Sequence, residues 1–459
     1  MLNFWDFSAW GGLNLFAILL ISLLAANLLK KLIPALKAAL IPSSVLGGGI
    51  LILVAGVYKL CTGQVMFDTR FFGGNGTANL ELITYHCLAL GFIASAFKSS
   101  KGKMTKQRTV EIFNTGVTTV ATYLLQAVLG MSISLLAVLV VKDFFPAAGI
   151  LLPFGYGQGT GQAMNYGGIF EAENGFVGGK VFGLTIAALG FLSASIGGVV
   201  HLNVLRKKGL ATAHSDKAEK LEAEDIQKEN EIPMQESIDK MTVQIALVTA
   251  AYMLAYFMMA GLGKLLPGMK ATIFGFNFLL GVLSATLIRT LLNFANKKKI
   301  FRRAQVNDFL MTRTSNFFFD LMVVAGVAAI RLDELENYWG IILIMGVVGL
   351  ISTYGYNLWV AKKLFPEYAQ QQFLMMFGML TGTASTGTIL LREIDCEFQT
   401  PASDNMVYQN FPAIVFGFPL MLLATLAPKK PYLTLIILVA FCSVMNIILF
   451  RSFIFRKKK

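Results

Sequence analysis

The chain has 459 residues, of which 55% are hydrophobic and only 14% are charged, with a mean hydropathy of +0.64. A soluble protein carries about a quarter charged residues, so this composition excludes an ordinary soluble protein and indicates a membrane protein. The net charge of +13 comes from short basic clusters between apolar runs. That is the pattern of membrane topology signals and argues against a nucleic-acid partner.

A helix that crosses a bilayer needs about 20 mostly apolar residues, and such runs occur along the whole chain. In the first half they cover residues 13–33, 44–60, 80–97, 112–140 and 175–205. In the second half they cover residues 241–262, 272–294, 313–330, 339–361, 405–427 and 432–453. The sequence therefore predicts an all-α polytopic membrane protein whose surroundings are the lipid bilayer. No Lys or Arg precedes Lys30, unlike a cleaved signal peptide, so the first span is expected to be retained.

Two further segments, about 144–171 and 367–394, are apolar only in patches because Gly, Thr and Ser interrupt them. If each leaves the membrane on the side that it entered, 22 Lys and Arg residues lie on one side and 8 on the other, leaving out the charged linker and the residues within spans. Treating either segment as a full span would destroy this asymmetry, which membrane proteins keep with the positive side in the cytoplasm. Both segments are therefore predicted to be re-entrant hairpins, with the N-terminus outside and the C-terminus cytoplasmic.

This topology divides the chain into four parts. Residues 1–205 form an N-terminal repeat of five spans, and residues 206–240 form a charged cytoplasmic linker. Residues 241–428 form a second repeat of five spans, and residues 429–459 add one more span and a basic tail. An odd number of spans in each repeat makes the two repeats inverted relative to one another.

The two hairpins share a short motif. Residues 154–160 read FGYGQGT and residues 377–383 read FGMLTGT, so both contain F-G-x-x-x-G-T at an offset of 223 residues. Interrupted helices at matching places in two inverted halves are the best sequence pointer to a transporter's substrate site. The sequence therefore predicts a secondary transporter, with its site at the hairpins.

Broken helices have exposed ends that can bind charged ligands. The helix that leaves each hairpin presents unpaired N–H groups and a positive dipole end, which suit a carboxylate. The helix that enters ends near Gly155 or Gly378, where free carbonyls suit Na⁺. The predicted substrate-binding residues are Gly157, Gln158, Gly159, Thr160, Gly161, Thr381, Gly382, Thr383, Ser385 and Thr386. The alternative is that these glycines only allow close helix packing.

The chain resembles the bacterial sodium/glutamate symporters. The resemblance lies in residues 155–161 and 382–386, with further similarity at Ile196-Gly197-Gly198, Asn316 and Pro412, and it covers about 13–428. It implies Na⁺-driven uptake of L-glutamate across the bacterial inner membrane, with both hairpins forming the site and a homodimer as the assembly. Family members often carry His where this chain has Gln158, and Pro where it has Ser385. A carrier of citrate or malate is therefore the main alternative, and a channel is a further one.

Asp320 lies near the middle of the eighth predicted span, and Asn316 is one turn away. A carboxylate inside a membrane is costly to bury, so its presence indicates a functional site. This pair is therefore predicted to bind Na⁺ or to carry a coupling proton. The alternative is a packing ion pair with Arg289 or Arg313. Arg392 is either a ligand of the substrate carboxylate or, as we favour, a surface anchor. The weaker polar candidates are Glu81, His86, Gln126, Gln409 and Asn410.

The sequence lacks the motifs of common enzymes, nucleotide-driven pumps and transition-metal sites. The chain has no H-E-x-x-H, G-x-S-x-G or G-x-x-x-x-G-K-[ST] pattern, which argues against an enzyme and against a pump with its own nucleotide site. The four cysteines, Cys61, Cys87, Cys396 and Cys442, are scattered and predict neither a disulfide framework nor a transition-metal site. We expect no cofactor other than Na⁺ as the coupling ion.

Overall fold

A computed structural model gives the fold of most of the chain. It describes residues 4–98, 105–209, 226–227, 230–234, 237–267, 270–275, 277–301, 303–331, 335, 338–395 and 399–454. Most of the predicted linker and the basic tail at 456–459 lie outside these residues. Within them the fold is helical, and the only β pairing is a single bridge between Glu231 and Ala304.

The first part of the described chain forms eight α-helices. They are α1 (Phe7–Leu32), α2 (Pro34–Ala38), α3 (Ser43–Thr62), α4 (Gly76–Ala96), α5 (Lys106–Ala137), α6 (Leu151–Gln158), α7 (Thr160–Asn174) and α8 (Gly179–Lys207). Short 3₁₀ turns at Met66–Asp68, Arg70–Phe72 and Ala148–Ile150 lie in the connections.

The second part forms eleven more helices. They are α9 (Lys240–Leu265), α10 (Lys270–Gly275), α11 (Asn277–Lys297), α12 (Asp308–Ala328), α13 (Trp339–Leu364), α14 (Ala369–Thr381), α15 (Ala384–Arg392), α16 (Ala402–Tyr408), α17 (Asn410–Leu426), α18 (Pro431–Leu449) and α19 (Arg451–Ile454). A 3₁₀ turn at Pro366–Tyr368 precedes α14.

Nine of the described helices are long and apolar enough to cross a membrane. They correspond to the predicted spans except the eighth and the tenth. The tenth is the bent pair α16–α17, whose axes differ by 53° at a break just before Pro412. The eighth forms α12, a helix of 21 residues that contains Asp308, Arg313 and Asp320 and is not among the nine. These findings support the predicted all-α polytopic membrane protein.

The structure forms two compact units that interleave along the chain. The first contains Met1–Glu81, Lys103–Ser215 and Val323–Lys459, and the second contains Leu82–Gly102 and Asp216–Met322. The units group residues differently from the predicted boundaries at 205, 240 and 428, which remain a division based on sequence. Both predicted hairpin segments belong to the first unit.

Helix α8 is the element of the first unit on which both hairpin segments pack. A Cβ atom at Gly183 would clash with the Ala163 carbonyl of α7, and one at Gly190 would clash with the Thr381 carbonyl of α14. Further along, a Cβ at Gly197 would lie 2.5 Å from the Phe377 ring. These glycines recur every seven residues on one face, which lets the backbones approach closely without lipid between them.

The second unit has its own apolar core and a buried ion pair. Ala255, Met259, Ile273 and Leu280 pack together where α9, α10 and α11 meet. At the start of α9, the fully buried Lys240 Nζ lies 2.9 Å from the Glu231 carboxylate. This pair holds the described end of the linker against the rest of the second unit.

Candidate functional site

The first predicted hairpin consists of α6 and α7, which break at Gly159. This residue has φ +84° and ψ −172°, a conformation that only glycine adopts readily. The rings of Phe154 and Tyr166 stack at 4.1 Å with an angle of 2° between their planes. In one continuous helix they would be about 18 Å apart, at about 1.5 Å per residue. The chain therefore turns back on itself at Gly159.

The second hairpin consists of α14 and α15, which break at Gly382 and Thr383. A Cβ atom at Gly378 in α14 would lie 2.7 Å from the Gly387 Cα in α15, so the two helices also lie side by side. The Thr383 hydroxyl accepts a hydrogen bond from the Thr386 N–H at 3.3 Å and thereby caps α15. Both breaks thus fall on the second glycine of the shared motif, at Gly159 and Gly382.

The two turns meet within the first unit. We call residues 158–160 the first tip and residues 381–383 the second tip. A Cβ atom at Gly159 would lie 3.8 Å from the Gly382 carbonyl oxygen and 4.0 Å from the Thr383 Cγ2. The structure therefore brings together predicted substrate-binding residues that are 223 positions apart in sequence. Their role in binding stays a prediction.

The start of α7 carries polar side-chain groups that have no partner in the described part of the chain. Gly159, the N-cap residue of α7, has no side chain with which to bond the first N–H groups of that helix. The Thr160 Oγ1 and Gln162 Nε2 atoms are buried and have no hydrogen-bond partner among the described residues. Thr160 also lies against Gly326, where a Cβ atom would be 3.0 Å from its Oγ1. Gln162 and Gly326 were not in the predicted site.

Gln126 of α5 lies between the two hairpins. Its Nε2 donates to the Leu380 carbonyl at 3.0 Å and to the Thr353 hydroxyl at 2.9 Å. Its Oε1 has no partner among the described residues and would be 3.3 Å from a Cβ atom at Gly157. The sequence placed Gln126 among the weaker candidates, because nothing local predicts contacts to residues more than 200 positions away.

The predicted sodium ligands are placed differently. Gly155 and Gly378 lie inside α6 and α14, which run three residues further, to Gln158 and Thr381. Both glycines pack closely, Gly155 on α8 and Gly378 on α15. They therefore allow close helix packing, which was the alternative role predicted from the sequence. Their carbonyls still belong to the last four of each helix, which have no partner within the helix.

Asn316 and Asp320 lie one turn apart on the part of α12 that belongs to the second unit. Both residues are exposed in the structure. Their predicted role in cation binding stays a prediction.

The remaining polar candidates have local partners or surface positions. Lys180 Nζ lies 2.7 Å from the Glu81 carboxylate, and Arg206 lies 2.7 Å from Glu393. Arg392 is exposed at the end of α15. Gln158 is half-buried at the first tip, Thr386 is buried, and the Ser385 side chain lies outside the described part of the chain.

The tips bring groups of opposite polarity to one place. The start of α7 offers N–H donors and a positive dipole end, whereas the ends of α6 and α14 offer carbonyl oxygens and negative dipole ends. Such a site can bind an anion together with a cation, or a molecule that carries both charges. No family model and no curated protein sequence matches this chain, so its function has to be argued from this geometry.

Proposed function

We propose that the chain is a sodium-coupled secondary transporter that imports L-glutamate by alternating access. The observation that carries this proposal is the meeting of two broken helices at Gly159 and Gly382, beside buried donors on Thr160 and Gln162 that have no partner among the described residues. Backbone that leaves helical pairing inside a bilayer is tolerated where it is buried in protein or lines a cavity. Transporters use such half-helices to bind anionic substrate groups and coupling ions.

The order of helices supports two inverted repeats as the architecture. Four long helices, a broken pair and a final helical segment occur first as α1, α3, α4, α5, α6–α7 and α8. The same order returns as α9, α11, α12, α13, α14–α15 and α16–α17. The motif glycines Gly159 and Gly382 occupy the break in each series. Helices α18 and α19 then follow as the additional C-terminal segment.

We assign the substrate carboxylate to the N-terminus of α7, because the buried Thr160 Oγ1 and Gln162 Nε2 there have no partner among the described residues. The sodium ligands would include the terminal carbonyls of α6 and α14, among them those of Gly155 and Gly378. Asn316 and Asp320 on α12 are proposed as a further cation-binding pair. The protein would act in the bacterial inner membrane as a homodimer, as the resemblance to sodium/glutamate symporters implies.

The test is uptake of labelled L-glutamate into proteoliposomes that contain the purified protein. We expect accumulation under an inward Na⁺ gradient and none under a K⁺ gradient of the same size. Citrate and malate are the competing substrates in parallel vesicles. Accumulation of either acid in place of glutamate would refute the substrate assignment. Single-channel current steps would refute the carrier mechanism itself.

A further inference from the structure

Helix α5 carries a row of buried polar side chains that the proposed site does not use. From one end of the helix towards its middle, they are Asn114, Thr115, Thr118, Thr119, Thr122 and Gln126. From Glu111 to Gln126 the row extends about 22 Å, at about 1.5 Å per residue. The apolar core of a bilayer is about 30 Å thick, so the row covers much of that depth.

At the Glu111 end of the row, side chains from several elements form one hydrogen-bonded chain. The Tyr368 hydroxyl donates to the Glu111 carboxylate at 3.0 Å and accepts from the Asn405 Nδ2 at 3.0 Å. The Asn405 Nδ2 also lies 3.2 Å from the Gln372 Oε1, and the Gln372 Nε2 donates to the Thr115 hydroxyl at 3.1 Å. Polar contacts therefore continue from the charged end of α5 into its buried part.

The row continues to the second tip. The Thr119 hydroxyl donates to the Gln409 Oε1 at 2.8 Å, and the Gln409 Nε2 lies 3.4 Å from the Met379 sulfur. One and two turns further along α5, Thr122 and Gln126 follow, and Gln126 bonds the carbonyl of Leu380. Leu380 directly precedes the second tip, so the row ends at the proposed substrate site.

Two atoms, one in the row and one in the hydrogen-bonded chain at its Glu111 end, are difficult to explain by packing alone. The Asn405 Oδ1 and the Gln126 Oε1 are buried and have no hydrogen-bond partner among the described residues. A buried polar atom without a partner is unfavourable and calls for water, an ion or a ligand to satisfy it. Polar side chains inside membrane proteins characteristically face a bundle interior or a water-filled cavity.

We propose that the polar face of α5 lines a hydrated route between the Glu111 end of the helix and the hairpin tips. Small hydrophilic solutes, the transported anion and its coupling cation, would pass along it in the conformation that opens towards that side. Arg108 and Glu111, which form a 2.6 Å ion pair, would stand at its mouth. This inference rests on the proposed transport function, but it assigns to α5 a role that the hairpins do not provide.

The experiment is cysteine labelling in inside-out and right-side-out membrane vesicles. The background variant has its four native cysteines replaced by alanine, and each test variant adds Thr115→Cys or Thr119→Cys. The probe is a charged, membrane-impermeant methanethiosulfonate. The matched control is Val120→Cys, because Val120 is equally buried at the same depth but packs on the other side, near Gly417.

We expect both test cysteines to react at least about tenfold faster than the control, since even a minor open state exposes them. The reaction should be fast from one side of the membrane only and should slow when Na⁺ and L-glutamate are added together. Equal, slow reaction at all three positions would overturn the proposed route and leave the row as a packing network.

Cysteine labelling tests the proposed route, and glutamate uptake tests the proposed function, so the two can fail separately. Rapid labelling in a protein that accumulates no glutamate would support the route and refute the substrate. Glutamate uptake without labelling would refute the route and leave the transport function standing. Thr119→Val provides a second measurement, because it removes the bond to Gln409 and keeps the side-chain shape. We expect it to lower the initial uptake rate, whereas Thr109→Val, at an exposed position on the same helix, should leave the rate unchanged.

Discussion

The two hairpins share a motif but differ in the hydrogen bonds at the start of the helix that leaves each tip. At the second tip, the Thr383 hydroxyl caps α15 by accepting from the Thr386 N–H. At the first tip, the N-cap residue of α7 is Gly159, which has no side chain, and the Thr160 Oγ1 and Gln162 Nε2 atoms have no hydrogen-bond partner among the described residues. A protein side chain therefore caps the outgoing helix at the second tip, whereas at the first tip buried donors have no acceptor among the described residues.

This difference gives the tips different roles in the proposed mechanism. Buried donors that have no acceptor are unfavourable until a ligand supplies one, and a carboxylate does so at a positive helix end. The first tip would therefore provide most of the affinity for the anion. The second tip would provide shape and carbonyl oxygens. A shared motif thus predicts where each hairpin breaks, but neither a shared backbone conformation at the break nor a shared ligand role.

The largest effect should come from the glycine at the first break. Gly159→Ala forces a side chain into a conformation that costs about 1–3 kcal/mol for residues other than glycine, and we expect loss of uptake and a lower melting temperature. Gly382→Ala is the matched variant, because Gly382 has φ −140° and ψ −109°, outside the left-handed region. Its effect on stability should be smaller and should come from crowding against Thr386. Equal losses in the two variants would contradict the comparison of the tips.

Thr160→Val should give the next largest effect, and on uptake alone. Valine keeps the side-chain shape and removes a hydroxyl that bonds nothing in the described structure, so stability should not fall. A hydrogen bond to a charged group contributes about 1.5–3 kcal/mol, so the KM for glutamate should rise about tenfold or more. The measurements are uptake kinetics and thermal unfolding of the same preparation. An unchanged KM would exclude the hydroxyl as a ligand of the substrate.

Thr383→Val should combine a moderate loss of uptake with a loss of stability. This variant removes the cap of α15, and the loss of a threonine cap costs about 1 kcal/mol. Thermal unfolding should therefore distinguish it from Thr160→Val, which breaks no cap. If Thr383→Val lost uptake at unchanged stability, its hydroxyl would be acting as a ligand rather than as a cap.

Much of the fold could be predicted from hydropathy, because a span needs only length and apolar character. The glycines of the shared motif predicted both breaks, since a helix cannot continue through Gly159 in the conformation that it adopts. The ends of α6 and α14 were misplaced by three residues, because glycines at 155 and 378 that pack against neighbours look in sequence like glycines that end a helix. The ranking of Gln126 and the omission of Gln162 have another cause. Their importance depends on tertiary contacts, or on missing partners, that no local pattern encodes.

The smallest expected effect concerns Asp320, which belongs to the second unit and not to the tips. If Asp320 binds Na⁺ under the proposed function, Asp320→Asn removes a negative charge but keeps an oxygen ligand, so the Na⁺ concentration for half-maximal uptake should rise. Asn316→Ala should shift it in the same direction, since the two side chains lie one turn apart on α12. The KM for glutamate at saturating Na⁺ should change little in either variant. Thr160→Val should show the opposite pattern, with a raised KM for glutamate and little change in the Na⁺ concentration for half-maximal uptake. Measuring both constants therefore separates a cation ligand from a substrate ligand. If the Na⁺ dependence is unchanged in both variants, the coupling ion has to be sought among the carbonyls at the tips.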